Sequence, residues 1–435
     1  MVTYIDGLGR PVQEIMHKLG ASGMDIVRHM EYDAQGRQAR KFLPFTLTQN
    51  NMAFDPYAYS NTMDFYMNEW VESTDFPFSE TLFESSSLGR ALKQGHAGDE
   101  WSVNYNGPDH TIKYEYRSNA TADYVKYFKA VTSSTPVDGA FAITLGNPSG
   151  SVYYSPAQLY RISTTDENGS RTEEFKDKQD RVVLKRLWIG GETHDTYYVY
   201  DAAGNLTYVI PPKAVDLGTI TDKILEDLCY QYRYDRQDRQ VEKKLPGKQW
   251  EYIVYDRLDR IVALGPVNTP FSDMMPSRKI GWEITKYDTF DRPVISGWKE
   301  ATNFSSSARN ALQSLYTFSP NQSESRLAGL ENQMNNVVYR YTNLTEPKSD
   351  YHILTINYYD DYDFTGDTDW VPASLPTVAL GTPVHFNRTA KPKGLATGGW
   401  VRILEASSQT RAESRYYLYD KKGRMIADHK RNHLL

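Results

Sequence analysis

The sequence is poor in cysteine, in long apolar runs and in net charge. Its 435 residues contain a single cysteine, Cys229, which excludes an intrachain disulfide. No stretch approaches the roughly 18 apolar residues that a membrane-spanning helix needs. Residues 1–6 show neither the basic nor the apolar region of a signal peptide. The formal charge of −6 removes the basic surface expected of a general nucleic-acid binder.

Catalytic and metal-binding motifs are absent from the sequence as well. It contains no H-E-x-x-H, G-x-S-x-G, Walker A or G-x-G-x-x-G motif. His429 and His433 would share one face of a helix, but they follow a predicted strand near the chain end, which favours a frayed tail. Cys229 lies in an apolar, aromatic stretch and is expected to be a small core residue. We therefore predict no catalytic residue, no cofactor and no metal site.

One acidic stretch leaves a calcium site open as an alternative. Four residues match positions 1, 3, 5 and 6 of an EF-hand loop: Asp361, Asp363, Thr365 and Gly366. Position 12 should be Glu and is Pro372, so the EF-hand motif fails. Four carboxylates remain available to a calcium site of another kind: Asp361, Asp363, Asp367 and Asp369. The favoured interpretation is a solvated acidic turn.

Tyrosine, in contrast, is abundant, and it marks a repeat. The chain has 33 Tyr against 16 Phe and 8 Trp, and tyrosine favours half-buried strands. A six-residue pattern recurs: an apolar or aromatic residue, Asp, two variable positions, Gly or Asp, and then Arg or Asn. Its eight copies, one of which has Lys176 in place of the aromatic residue, place the first Asp at Asp6, Asp33, Asp177, Asp201, Asp235, Asp256, Asp288 and Asp420.

The pattern predicts a β-hairpin at each copy. Asp at the first turn position can accept hydrogen bonds from backbone N–H groups two residues further on. The fourth position needs a positive φ, which Gly adopts freely and Asp adopts more readily than most residues. The charged turn residues are expected to form solvated pairs of little energetic weight. The predicted repeat residues are Asp6, Gly9, Tyr32, Asp33, Gly36, Arg37, Asp177, Asp180, Tyr200, Asp201, Gly204, Tyr234, Asp235, Asp238, Tyr255, Asp256, Asp259, Tyr287, Asp288, Asp291, Tyr419, Asp420, Gly423 and Arg424.

The spacing of the copies predicts the fold class. Successive Asp residues from Asp177 to Asp288 are 24, 34, 21 and 32 residues apart. That is room for one hairpin and less than the roughly 40 residues of a four-stranded propeller blade. We predict an all-β fold, an antiparallel array of hairpins that curls or wraps into a partial shell. A β-rich insertion and one short helical insertion interrupt it.

Five segments follow from this reading. They are the first hairpins at 1–48, a β-rich insertion of unknown function at 49–165, the central array at 166–300, a variable insertion with a short helix and a loop at 301–350, and the return strands with the last repeat at 351–435. Local patterns predict strands at 111–117, 124–131 and 351–359, a helix at 305–315, and loops at 321–336 and 394–399.

The repeat resembles the YD-repeat (Rhs-type) family from end to end of the chain. Long segments carry the resemblance, including FPFSETLFESSSLGR at 76–90, YYVYDAAGNLTYVIPP at 197–212 and LCYQYRYDRQDRQVEKKLPG at 228–247. It is closest to a bacterial branch with an associated domain of unknown function. Residues 85–87 and Gly89 depart from the Ser-Pro-Leu-Asn-Arg of that branch, and several repeats carry Asp where Gly is usual.

The resemblance implies a function that composition does not. Members are typically large, secreted or surface-exposed bacterial proteins, and in better-understood relatives the repeats form a hollow β shell around a polymorphic C-terminal toxin domain. The Asp-Pro-x-Gly-Leu motif of the closing core is absent here. The chain is therefore expected to be a fragment of a shell, a non-enzymatic scaffold whose partners are the rest of its own shell and the enclosed domain. Its expected location is extracellular or at the cell surface.

Two other functions stay open at this stage. Exposed Tyr and Trp beside Asp and Asn can stack on sugar rings and bind their hydroxyls, so a carbohydrate- or cell-surface-binding module is the main alternative. A hydrolase that uses a carboxylate pair in a tyrosine-lined cleft is the other. Among 55 acidic residues some such pair will always exist, so the second alternative has little specific support.

Overall fold

The structure, a computed structural model, describes residues 1–47, 50–68, 70–104, 107, 109–277, 279–364 and 389–432. The chain divides into two compact units. Unit 1 comprises Met1–Phe128, Asn147–Val199 and Val209–Ile220. Unit 2 comprises Lys129–Gly146, Tyr200–Tyr208 and Thr221–Leu435.

Strands make up most of the described chain, and the helices are short. The strands are β1 Val2–Ile5, β2 Pro11–Met16, β3 Asp25–His29, β4 Arg40–Phe42, β5 Phe45–Leu47, β6 Phe78–Phe83, β7 Ala91–Gly95, β8 Ile112–Ser118, β9 Lys129–Thr132, β10 Ile143–Gly146, β11 Tyr160–Thr165, β12 Arg171–Lys176, β13 Val182–Ile189, β14 Glu192–Tyr200, β15 Leu206–Ile210, β16 Tyr230–Tyr234, β17 Gln240–Lys244, β18 Trp250–Tyr255, β19 Ile261–Asn268, β20 Ile280–Tyr287, β21 Pro293–Glu300, β22 Asn332–Met334, β23 Val337–Tyr339, β24 His352–Tyr359, β25 Ala396–Arg402, β26 Ala412–Tyr419 and β27 Met425–Asn432. The α-helices are α1 Ala58–Met67, α2 Pro212–Asp216, α3 Asp222–Leu228 and α4 Ser306–Phe318.

Unit 1 is built from two antiparallel ladders. The first has the strand order β1-β2-β3-β5. Helix α1 packs on β3 and β5, and its Ala58 joins Ile15, Val27 and Phe45 in a small core. The second runs β4-β6-β7-β8-β11-β12-β13-β14, and every neighbouring pair in it is antiparallel.

Unit 2 is built on one long antiparallel ladder. It runs from β16 through β21 and continues as β24-β25-β26-β27. Two small sheets, β9-β10 and β22-β23, accompany it. Tyrosines dominate its core, and the buried ones there are Tyr252, Tyr316, Tyr339, Tyr341, Tyr351, Tyr358, Tyr362 and Tyr416.

The structure confirms the all-β class and the antiparallel array of hairpins. It also confirms the helix expected at 305–315, which is α4. Ser305 caps that helix because its hydroxyl oxygen accepts a hydrogen bond from the Ala308 backbone N–H at 3.1 Å. Within the described residues, no helix has the length and apolar character needed to cross a membrane.

Several local predictions are wrong. Residues 58–67, inside the expected β-rich insertion, form α1. The predicted strand at 124–131 begins only at Lys129, and the predicted loop at 321–336 contains β22. The glycine-rich loop predicted at 394–399 is largely β25. Gly398 lies against the Phe364 ring, where the Cβ of any other residue would clash. Glycine there permits close packing of a strand and does not mark a turn.

Candidate functional site

The eight predicted turns share one geometry, and we call them Asp-capped hairpins. In the first of them, Asp6 Oδ1 accepts hydrogen bonds from the backbone N–H groups of Leu8 at 2.8 Å and Arg10 at 2.9 Å. The fourth-position residues, Gly or Asp, all have φ between 57° and 95°, as the pattern predicts. A register shift, typical of a β-bulge, precedes Asp6, Asp177, Asp235, Asp256, Asp288 and Asp420.

Three further hairpins follow the same plan and were missed by the pattern. Asp166 accepts backbone hydrogen bonds from Asn168 and Ser170, but Ser stands where Arg or Asn is expected. Glu84 replaces Asp in a turn two residues longer, and the ion pair with Arg90 lowers the Glu84 pKa to about 2. Asp360 accepts a hydrogen bond from the Gly394 N–H at 2.7 Å, although 33 residues separate the two along the chain.

In six of the eight hairpins a tyrosine stands directly before the Asp, and its hydroxyl can link the hairpin to the preceding one. Five of these hydroxyls donate to the first carbonyl of the strand that leaves the preceding turn, at 2.7 to 2.9 Å. The donors are Tyr32, Tyr234, Tyr255, Tyr287 and Tyr419. A phenylalanine would fill the same space but could not make this bond, which is a physical reason for the tyrosine excess.

The arginine at the fifth turn position, directly after the fourth-position Gly or Asp, reaches the following hairpin. Arg239 lies over the Tyr255 ring with its guanidinium carbon 4.7 Å from the ring centroid, and Arg260 lies over Tyr287 at 4.8 Å. Arg239 also binds Asp259, the fourth-position residue of the following turn, at 2.6 Å. Arg260 likewise binds the fourth-position Asp291 of its following turn at 2.7 Å. We call this set of contacts the turn ladder.

The prediction of solvated turn pairs is wrong for the central hairpins. The Asp256 side chain is 2% exposed and the Arg260 side chain 9% exposed, because the next tyrosine ring covers the pair. At the turns of Asp6, Asp33 and Asp420, the pKa of the carboxyl is lowered, chiefly by the hydrogen bond from the backbone N–H four residues on and also by the arginine.

A second cluster, in unit 1, forms a pocket of 280 Å³. No sequence pattern marks it, since its residues come from five separate segments. We call it the tyrosine pocket, and its lining residues are Tyr124, Lys126, Tyr153, Arg186, Thr193, Asp195, Tyr197, Val215 and Asp216. Alternate residues of β14 supply one wall, as the two-residue period of a strand dictates.

A buried ion pair fixes the base of the tyrosine pocket. Arg186 donates two hydrogen bonds to the Asp195 carboxylate, at 2.7 and 2.8 Å, and a third to the Asp123 carbonyl at 2.9 Å. The Tyr197 hydroxyl accepts from the Lys126 backbone N–H at 3.2 Å and lies 3.3 Å from Asp195 Oδ2. Burial raises the pKa of Tyr197. The base is therefore rigid, polar and already charge-paired.

Two exposed tyrosines stand at the mouth of this pocket. Tyr124 is 66% exposed and Tyr153 47% exposed, and their ring centroids are 6.1 Å apart in an edge-on arrangement. Tyr124 has φ 48°, a left-handed conformation that costs free energy for a bulky residue. Open aromatic faces over a polar base can stack on a ring while donating and accepting hydrogen bonds.

The carboxylates of the acidic stretch that the structure describes are paired with arginines. Asp361 pairs with Arg326 at 2.8 Å and Asp363 with Arg340 at 2.5 Å, so arginines neutralise both carboxylates. The rest of the candidate calcium set, Asp367 and Asp369, lies outside the described residues. Within those residues, no group of three or more His, Cys, Asp or Glu has metal-binding geometry.

The frayed tail expected at His429 is wrong, because that residue lies within β27 and its ring stacks on Tyr416. His433 lies outside the described residues. Cys229 is fully buried and burial raises the pKa of its thiol to about 12. This confirms Cys229 as a core residue.

Comparison with known proteins adds a family match and several fold-level similarities. A family model described as a domain of unknown function, DUF6443, matches residues 1–117. No curated protein matches the sequence. A crystal structure of TcdB2-TccC3-Cdc42 is similar, with 12% identity and a TM-score of 0.42 over 99% of this chain and 22% of that chain. A structure of the Photorhabdus luminescens Tc holotoxin pore gives 13% identity and a TM-score of 0.40 over 99% and 20%. The chain thus spans about a fifth of the length of each similar chain.

Proposed function

We propose that the chain is a non-enzymatic structural scaffold, part of the YD-repeat β shell of a secreted or surface polymorphic-toxin-like protein. The turn ladder is the observation that carries this proposal. Its repeated Asp, Arg and Tyr side chains hold one another, hairpin to hairpin, instead of converging on a cleft. These Asp, Arg and Tyr residues, of types common in active sites, therefore have a structural role.

The resemblance of the repeats to YD-repeat proteins supports the shell and its partners. On this proposal the chain contacts the rest of its own shell and an enclosed C-terminal domain. The bonds of the turn ladder join a hairpin to its immediate neighbour, so hairpins can be added without redesigning a core. Such an array suits a large container.

The native protein in its source cells provides the test. An antibody raised against this chain should detect, by immunoblot of cell fractions, a protein much heavier than 49.9 kDa in the medium or at the cell surface. Antibody against a cytoplasmic protein controls for lysis. A native band near the mass of the chain, confined to the cytoplasm, would contradict the proposal.

A second candidate function is carbohydrate binding at the tyrosine pocket. The exposed Tyr124 and Tyr153 rings above the Arg186–Asp195 pair are the specific observation in its favour. The pocket volume of 280 Å³ suits one or two sugar rings. A saccharide ring has an apolar face for stacking and hydroxyls for a polar base, which matches both halves of the site.

A glycan array with matched variants tests this candidate. We expect the chain to bind a defined set of glycans, and Tyr124→Ala and Tyr153→Ala each to weaken binding by about tenfold, since each removes a stacking surface. Tyr160→Ala is the control, because Tyr160 is 63% exposed in the same unit and does not line the pocket. An array without hits, or equal loss in the control, would remove this candidate.

A further inference from the structure

A second pocket, in unit 2, is lined mainly by apolar side chains, and we call it the apolar pocket. Strand β20 contributes Trp282 and Ile284, and helix α4 contributes Ala308, Ala311 and Leu312. Its volume is 480 Å³. Protein interiors are otherwise packed like organic crystals, and small-molecule sites occupy roughly 300–1,000 Å³. The pocket therefore has the size of a ligand site.

Helix α4 is held so that the pocket stays open. On one face, Gln313 bonds the backbone of Tyr255 twice, donating to its carbonyl at 2.6 Å and accepting from its N–H at 3.0 Å. The pocket lies at a different face, where Ala308 and Ala311 end at Cβ. Because polar bonds elsewhere fix the helix, it cannot move in to fill the space that these short side chains leave.

The segment 346–349 forms the opposite wall and is fixed as well. Lys299 Nζ donates to the Ser349 carbonyl at 3.0 Å. Immediately before the wall, the Thr345 carbonyl accepts from Lys286 Nζ at 3.0 Å. A site whose walls are anchored before binding loses little conformational entropy when it is filled, which favours affinity.

The charged groups at the apolar pocket already have partners. Glu300 pairs with Lys279 at 2.8 Å, and Glu346 pairs with Lys348 at 3.4 Å. The lining cations Lys299 and Lys348 equal the lining anions Glu300 and Glu346 in number. An ionic ligand would therefore lose hydration there without meeting a net opposite charge. We infer that the apolar pocket binds a small, neutral, largely apolar ring compound that packs beside Trp282.

A pair of matched dyes tests both parts of this inference. N-phenyl-1-naphthylamine is neutral, and 8-anilinonaphthalene-1-sulfonate has the same rings with one negative charge. With the full chain, the neutral dye should show saturable, one-to-one fluorescence enhancement and bind about tenfold more tightly than the sulfonate. Absence of saturable binding, or tighter binding of the sulfonate, would overturn the inference.

Variants locate the dye. Ala311→Phe fills the pocket and should weaken binding of the neutral dye by about tenfold or more, and Ala308→Leu should weaken it by a smaller factor. Ala203→Phe is the control, since Ala203 is at an exposed hairpin tip. Thermal melting of each variant shows that it is folded, and the smaller Ala308→Leu change serves if Ala311→Phe does not fold. Unchanged binding in a folded pocket variant would place the dye elsewhere and end the proposal.

Discussion

Single side chains in the turn ladder each serve two hairpins. Arg260 bonds Asp256 in its own turn at 2.6 Å and Asp291 in the following turn at 2.7 Å, and it covers the Tyr287 ring. A hydrogen-bonded charge that is buried is costly to strip of its partner, whereas an exposed pair contributes little. The position of an arginine along the array should therefore decide its contribution to stability.

Two arginines at the same turn position make this testable. Arg260→Ala should lower the free energy of unfolding by about 3 kcal/mol, because it leaves Asp256 buried without its cation. Arg424→Ala removes the same residue type from the Asp420 turn, where the arginine is 72% exposed and the Asp420 side chain 9% exposed, and it should cost less than Arg260→Ala because water can reach the arginine. Urea denaturation of both variants measures the difference. Equal losses would show that the turn ladder adds nothing to the isolated turn.

One buried pair links the variable insertion to the main sheet. Lys286 of β20 and Glu324 of the insertion are both buried, with Lys286 Nζ 3.2 Å from Glu324 Oε1. Glu324 also accepts hydrogen bonds from the hydroxyls of Thr342 and Thr345, each at 2.6 Å. Although burial opposes ionisation, Lys286 and these donors hold the pKa of Glu324 below its ordinary value. Glu324 is thus an anchor for the segment that leads to the apolar pocket.

Removal of that anchor should be far more costly than removal of a surface pair. Glu324→Ala leaves Lys286 buried and unpaired, and we expect a loss of about 3–5 kcal/mol of unfolding free energy. Glu300→Ala breaks the half-exposed pair with Lys279 and should cost less than about 1 kcal/mol. Chemical denaturation followed by far-UV circular dichroism measures both. A small effect of Glu324→Ala would mean that the insertion is held by other contacts.

Across the whole molecule, the sequence predicts the features that depend on neighbouring residues and misses those that depend on contacts between distant ones. A turn needs only six neighbouring residues, so the hairpins and the positive φ at Asp238 were predictable. The tyrosine pocket was not, because Tyr124 and Arg186 are far apart in sequence and only the folded chain brings both to one pocket. Gly398 predicts a loop from sequence alone, whereas in the structure it allows a strand to pack against the Phe364 ring. The hairpin that begins at Asp360 does not match the six-residue pattern, because 33 residues separate Asp360 from Gly394.

A loss of stability in acid is the behaviour that the repeated carboxylates should give to the molecule as a whole. The pKa values of Asp6, Asp33 and Asp420 are lowered from 3.8 in the folded state, so below that value the unfolded chain binds more protons than the native one. Stability is therefore present above about pH 4 and lost as the pH falls further. The urea midpoint should fall as the pH is lowered below about 4. Asp33→Asn keeps the Oδ1 acceptor but not the charge, so it should flatten the drop, while Asp64→Asn at an exposed position of α1 should not. A midpoint independent of pH in that range would show that the turn carboxylates do not stabilise the fold through their charge.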